Sequence, residues 1–443
     1  MIKRADKPVR ARPLRDISQK RRYVYGRYNP DRLYACGPRD VKNVLVIDAA
    51  SRSGSSFLHS LLARHPDVIS LNGEDIVFQK LHGLCAVASA KDSDLLPRDF
   101  RPGKDLAAAV AADILKDAGC LYTGRGRFPK ENFLADCVQR FLLQWPLAGA
   151  DPDLLHRRAA EALERAPRPG PGFDTARLWN SFLAAVAGDG VRVDASYYDM
   201  PHRSAKRPES PPAGDCLEEP PFVIPGPRSF PDDGIRGKTL LLKSSSDCYR
   251  AGFVKSLFPA ARCRFLLLAR NPLASISGLM DGWNSGGFFS RDVGRVAKLS
   301  IKGYTAPDKP WSSSWWKFDL PPGWAGFAGK PLEEVCAFQW LSANEQILRD
   351  ADSGLLGEKL RVRYEDLLAP ASLARELGKI LDFAGLAARD LAAGAARPVM
   401  SVTAPKPGKW LRRKSLLLPL CSGKIRAAAE RLGYDPGEAE KWQ

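Results

Sequence analysis

The stretch "VLVIDAASRSGSSFLHSLLARHPDV", residues 44–68, decides the fold. An apolar run leads into a short Ser/Gly loop, and helical spacing follows, with Phe57, Leu58, Leu61 and Leu62 on one face. A strand should end near Asp48 and a helix should begin near Ser55. The backbone N–H groups of residues 53–57 then point at one spot without intrahelical acceptors, where the helix dipole favours negative charge. Gly54 lets the backbone approach closely. Ser53, Ser55 and Ser56 add hydroxyl donors, and Arg52 adds a planar fork suited to phosphate or sulfate. A plain Ser-capped helix shares part of this pattern. The coincidence of strand, Arg, Gly and helix start favours an anion site. The loop lacks the Gly-Lys-Ser/Thr ending of a triphosphate loop, and no later apolar run ends in a metal-holding Asp. The expected anion is therefore handled without Mg²⁺.

Outward from this stretch, further short apolar runs read as buried parallel strands: "VISL" (68–71), "TLLLK" (239–243), "RFLLLAR" (264–270) and "LRVRYED" (360–366). Helical patterns lie between them, including 331–348 with Pro331 at its start and Glu333 and Glu334 in its first turn. The expected fold class is α/β, a P-loop-like parallel β-sheet flanked by helices, with a large helical and irregular insertion over 86–238. Residues 86–200 read as Ala/Leu-rich helix. Residues 201–233 hold nine Pro and read as a long irregular loop. Residues 1–40 read as a basic, solvated arm, and 41–443 as a single domain.

The 443 residues carry a formal net charge of +17, much of it in the first 40 residues. That balance calls for an anionic partner, either nucleic acid, an acidic membrane face or a highly charged small ligand. No helix-turn-helix, zinc-finger or RNA-binding motif appears, so no nucleic acid is expected as partner. No run of about 18 apolar residues calls for a transmembrane segment. The nine Cys are scattered without C-x-x-C spacing, and the five His form no H-E-x-x-H. Free thiols, a cytoplasmic location and no metal site are the expectation. The Ala/Arg/Pro/Leu bias suggests a bacterial, GC-rich genome.

Four segments in order carry a resemblance. "SRSGSSFLHSLLARHPDV", "LKSSSDCYRAGFVKSLFPAARCRFLLLARNP", "RFLLLARNPLASISGL" and "VRYEDLLAPASLARELGKILDFAGL" resemble the signature segments of the PAPS-dependent sulfotransferases, especially their carbohydrate and bacterial branch. The resemblance spans 41–85, 238–290 and 330–435. It implies PAPS (3′-phosphoadenosine 5′-phosphosulfate) as co-substrate. Arg52, Ser53, Gly54, Ser55, Ser56 and Phe57 would hold its 5′-phosphosulfate, and Arg270 its 3′-phosphate. The family places a Ser eight residues after that Arg. Here that position is Gly278, and Ser277 is the nearest substitute. Residues 391–443 resemble the segment that closes over the cofactor, so Lys406, Lys409 and Trp410 would clamp the 3′-phosphate and adenine.

Glu74 occupies the place where carbohydrate-directed members carry a Glu, and would take the proton of an acceptor hydroxyl. Asp75 is the adjacent alternative. Lys243 ends a strand at the edge where open α/β sheets bind ligands. It reads either as a surface Lys or as the charge that neutralises the leaving bisphosphate. "VDASYYDMP" (193–201) resembles the family's acceptor-side segment, which puts Asp194 and Tyr198 near the substrate. The four Trp within 309–324 read as a packed lid or as a stacking platform. The expected activity is sulfuryl transfer from PAPS to a hydroxyl of a small-molecule, lipid or carbohydrate acceptor. A small-molecule kinase-like P-loop enzyme and a basic nucleic-acid-binding protein are the alternatives.

Overall fold

A computed structural model describes residues 11–28, 37–118, 130–166, 174–193, 217–218, 235, 237–285, 290–368, 370–392 and 407–442. Its centre is a five-stranded sheet of β1 (Asn43–Ala49), β2 (Val68–Ser70), β3 (Thr239–Lys243), β4 (Arg262–Ala269) and β7 (Glu358–Arg363), in the order β2-β3-β1-β4-β7. Every pairing is parallel, with Val44 opposite Leu240 on one side and Cys263 on the other. This is the parallel α/β sheet that the apolar runs predict.

β1, β3 and most of β4 are buried and mainly apolar because both faces are covered, whereas the edge strand β7, Glu358–Arg363, is largely exposed. Alternate residues point to opposite sides. Val44 and Val46 of β1 join Leu240, Leu242, Phe265 and Leu267 in one core. Leu45 and Ile47 join Leu241, Leu266 and Leu268 in another, packed by Leu58, Leu61 and Leu62 of α2 (Ser55–Leu62) and by Leu377 and Ile380 of α11 (Pro370–Ala384). The short helix α3 (Ile76–Leu81) follows β2 and lies in the first core with Val77, Phe78 and Leu81.

The insertion adds α4 (Lys104–Ala118), α5 (Lys130–Gln144), α6 (Pro152–Arg165) and α7 (Thr175–Gly188), as the Ala/Leu-rich pattern predicts. They extend the first core with Phe141, Trp179 and Phe182. Of the Pro-rich stretch 201–233, only Leu217 and Glu218 are among the described residues. The basic arm needs a correction: residues 11–28 form α1 (Ala11–Tyr28), which packs on α5. Ile17 and Val24, seven apart, are fully buried, and Arg21 between them bonds Gln139 and Asp113. Two apolar turns on one face outweigh the surrounding charge.

A third core lies beyond β4. It holds α9 (Pro272–Trp283), the hairpin of β5 (Ser290–Asp292) and β6 (Trp315–Lys317), α10 (Leu332–Asp352) and the C-terminal helices α12 (Lys414–Leu417) and α13 (Gly423–Arg431). Trp316 and Trp324 are fully buried here, so the Trp-rich stretch is mainly core. Between α7 and β3, and between α4 and α5, parts of the chain lie outside the described residues. The short helix α8 (Ala251–Ser256) connects β3 to β4.

Candidate functional site

Five parallel strands deliver their C-terminal ends to one edge, and each brings a polar group there. The chain order reverses around β1, and such a point opens a crevice above the strand ends. β1 supplies the loop 50–54, β2 leads to Glu74, β3 ends in Lys243, β4 leads to Arg270, and β7 leads to Tyr364 and Glu365.

The loop is tight. Ser53 N donates to Ala50 O (3.3 Å) and Phe57 N to Gly54 O (3.0 Å). Among the described residues, the N–H groups of Gly54 and Ser55, at the start of α2, have no backbone acceptor. Two of its residues take left-handed backbone, Arg52 (φ 67°) and Gly54 (φ 91°). A left-handed Arg is strained, and such strain gathers at binding sites. The Ser53 hydroxyl is buried without a hydrogen-bond partner. Ser51 Oγ donates to Asp319 (2.8 Å), whose other oxygen accepts from Tyr249 (2.9 Å), anchoring the loop from below.

Arg270 reaches the loop from β4. Its Nη1 donates to the Arg52 carbonyl (3.1 Å), its plane lies over the Tyr364 ring (4.7 Å), and its Nε is buried without an acceptor. The Asn-Pro that follows explains this placement. Asn271 caps α9 through Ala274 N (2.8 Å), Pro272 starts the helix, and Glu365 accepts from both Asn271 N (3.0 Å) and Asn271 Nδ2 (2.9 Å). Burial, then the charge of Arg270, pulls the Arg52 guanidinium down to about 10. Two cations forced together raise the affinity of the spot for an anion.

Lys243 is no surface side chain. It is 7 % exposed, and its Nζ donates to Ser56 Oγ (3.0 Å) and to Glu74. One ammonium thus joins the start of α2 to the candidate base. Glu74 keeps 28 % of its side chain exposed, open to a substrate. Its loop is pinned on both sides. Asn72 bonds Asp117 (3.1 Å) and Asp136 (3.1 Å), and Asp75 accepts from Gln79 Nε2 (3.0 Å). Asp75 itself is fully buried, so it has no path to an acceptor and is not an alternative base.

Three other expectations change. Gly54 does face a close neighbour, but it is the Tyr364 ring. A Cβ there would lie 2.1 Å from Tyr364 Cδ2. Phe57 meets the same ring edge-on (6.3 Å). The Ser277 hydroxyl accepts from Arg413 (2.9 Å) and is buried. A Cβ at Gly278, by contrast, would lie 3.6 Å from Arg52 Cβ, in ordinary contact. Trp410 is buried in the third core and donates to the Trp442 carbonyl (2.7 Å), so it presents no face for stacking on adenine. Lys409 pairs with Asp281 (2.9 Å), which also holds Arg412 and Arg413. Burial would raise Asp281, but these cations outweigh it and hold the carboxyl below the usual range. Asp194, Tyr198 and Lys406 lie outside the described residues.

The sequence reading missed Arg413, Asp281 and the cover that Tyr364 gives the loop. "WLRRK" (410–414) and "YED" (364–366) were the available signals. Among the described residues, no three His, Cys, Asp or Glu side chains could hold a metal ion, and no helix is long and apolar enough to cross a membrane.

No family model and no curated protein matches the chain. Solved structures that are similar include a sulfotransferase domain from the Synechococcus PCC 7002 olefin synthase (14 % identity, 89 % of this chain and 97 % of that chain, TM-score 0.34). A sulfotransferase domain from the curacin biosynthetic pathway is similar at 12 % identity (89 % and 99 %, TM-score 0.38). Sulfotransferase STF1 from Mycobacterium tuberculosis H37Rv is similar at 11 % identity (95 % and 83 %, TM-score 0.36). With TM-scores this low, the fold rests on the chain's own sheet order and layering.

Proposed function

We propose that the chain is a sulfotransferase that moves a sulfuryl group from PAPS to a hydroxyl of a small-molecule, lipid or carbohydrate acceptor. One observation carries this reading: the Lys243 ammonium bonds both Ser56 of the anion loop and Glu74.

The residues fit a phosphosulfate donor. The buried, unpartnered Ser53 hydroxyl, the buried Nε of Arg270 and the open N–H groups of Gly54 and Ser55 are donors in search of an acceptor. An unsatisfied buried donor is costly, and an anionic oxygen is the group that relieves it. PAPS supplies an activated sulfuryl group on a phosphate leaving group. The acceptor oxygen forms the new bond to sulfur, the bond from sulfur to the 5′-phosphate oxygen breaks, and the electron pair leaves with the bisphosphate.

Glu74 takes the acceptor's proton. That proton discharges the ion pair with Lys243. The ammonium then loses its partner as negative charge grows at the loop, where its bond to Ser56 already holds it. Proton transfer and charge stabilisation are thus coupled through one side chain.

Calorimetric titration with 3′-phosphoadenosine 5′-phosphate tests the donor. Binding is expected, and Arg52→Ala and Arg270→Ala should each weaken it by about 1.5–3 kcal/mol, the scale of a charge-assisted contact. No heat and no thermal shift at saturating nucleotide sinks the reading. A screen of hydroxyl acceptors with labelled PAPS then identifies the acceptor class.

A further inference from the structure

Next to the base lies an arrangement that the reaction above leaves unused. Asp75 and Asp247 are 0 % and 1 % exposed, and their carboxyl groups stand within hydrogen-bonding reach of each other. Gln79 sits between them, and its Nε2 donates to Asp75 Oδ2 (3.0 Å) and faces Asp247 Oδ1 (3.5 Å). The other oxygen of each, Asp75 Oδ1 and Asp247 Oδ2, has no donor. Ionised carboxylates only accept, so two of them bond each other only when one carries a proton. A single shared proton satisfies the contact that two charges would forbid.

The surroundings do not replace that proton. Glu74 on the same loop adds negative charge, and Asp48 from β1 does so once it ionises. The buried Cys248 thiol is neutral, being pushed well up by burial first and then by Asp48. Arg250 is the cation nearby, but its Nη1 goes to Gln79 Oε1 (3.0 Å) and Cys85, and its Nη2 to Asp94 (2.5 Å to the carbonyl). Asp94 also holds Arg291. Burial, before the carboxyl neighbour, drives Asp247 well above the carboxylate range, and Asp75 rises for the same first reason.

We propose that Asp75 and Asp247 share one proton, and that this proton ties the loop carrying Glu74 to the turn that follows Lys243. Asp75 and Asp247 are positioning residues: they touch no substrate and act through Glu74. The effect on Glu74 rests on the sulfotransferase reading, whereas the shared proton does not.

Thermal unfolding of the ligand-free chain from pH 5 to pH 9 tests the proton. In Asp247→Asn, the amide donates to Asp75 at every pH. The wild-type fold must hold a proton that the unfolded chain releases above its ordinary carboxylate range, so wild-type stability falls as pH rises. The melting-temperature gap, variant minus wild type, should widen with pH. A constant or narrowing gap overturns the shared proton. Asp75→Asn is the mirror variant and serves the same test should Asp247→Asn not fold.

The pH profile of kcat/KM for sulfuryl transfer tests the positioning. In wild type, kcat/KM should fall toward alkaline pH as the shared proton leaves and the two carboxylates repel. Asp247→Asn keeps the tie at every pH, so its profile should lack that fall. The same alkaline fall in both proteins overturns the positioning role. Absence of transfer in wild type fails the sulfotransferase reading instead, and the unfolding result stands apart from it.

Discussion

Tyr364 closes over Gly54 so tightly that a Cβ on the glycine would lie 2.1 Å from the tyrosine ring. The two residues are 310 positions apart, yet they shape the loop after β1 together. Gly54 supplies the left-handed turn, and Tyr364 fills the room that its missing side chain leaves. Tyr364 in turn carries Arg270 on its face.

Gly54→Ala should therefore be destabilising for two separable reasons. A left-handed non-glycine residue costs about 1–2 kcal/mol, and overpacking costs about 1–3 kcal/mol more. Denaturant unfolding of Gly54→Ala should show a loss of roughly 2–5 kcal/mol. Adding Tyr364→Ala should recover the overpacking part and leave the backbone part. Strictly additive losses in the double variant contradict the close approach.

The Lys243–Glu74 pair separates binding from turnover. Glu74→Gln keeps an acceptor oxygen for Lys243, so stability and nucleotide affinity should hold. Turnover should fall by about 10²–10⁴-fold, the usual contribution of a general base. Lys243→Met should lower turnover and also cost about 1–3 kcal/mol of stability, because Glu74 and Ser56 lose a shared donor. Initial rates with labelled donor and urea melts on the same samples check both. Full turnover in Glu74→Gln removes Glu74 as base.

The central strands were legible because a strand buried on both faces is largely apolar, and "TLLLK" coincides with β3 residue for residue. The loop was legible because strand, Arg, Gly and helix start fall within a dozen residues. Lys243 stayed undecided because a strand-end Lys looks the same whether it faces water or Ser56, and 187 residues separate those partners. Trp410 misled for a related reason. A Gly-Lys-Trp near a nucleotide-site signature does not say which way the indole points, and here it faces the third core. Helix α1 was hidden by composition: two apolar residues among many charges suffice once α5 offers them a groove.

Gly278 allows a gain of binding to be tested. The resemblance places a phosphate-binding Ser at this position, and a Cβ here would meet Arg52 only in ordinary contact. Gly278→Ser should fold well, since Ser is favoured over Gly within a helix by about 0.5 kcal/mol. Its hydroxyl would stand beside the Arg52 side chain, where an anion would be shared. Affinity for 3′-phosphoadenosine 5′-phosphate should rise, by about tenfold if one charge-assisted hydrogen bond is added. Calorimetry on the two proteins decides it, and equal or weaker binding argues that the 3′-phosphate does not lie along this turn of α9.

Asp48 sets a pH dependence of stability that is independent of any ligand. It is the penultimate residue of β1, 1 % exposed, and neither carboxyl oxygen has a hydrogen-bond partner. Burial, then the charge of Asp350, raises its pKa from 3.8 to about 7. A carboxyl raised on folding stabilises fully below its unfolded pKa, and that contribution is lost as pH climbs through the folded value. The fold should therefore lose stability from about pH 4 to about pH 7 through this group, by on the order of 4 kcal/mol at most, and then level off. Asp48→Asn carries its unsatisfied amide at every pH, so its cost is constant while the titration vanishes. Urea unfolding of both proteins at pH 5 and pH 8 should show the variant gaining on wild type at the higher pH. An equal difference at the two pH values means that Asp48 is already ionised in the fold.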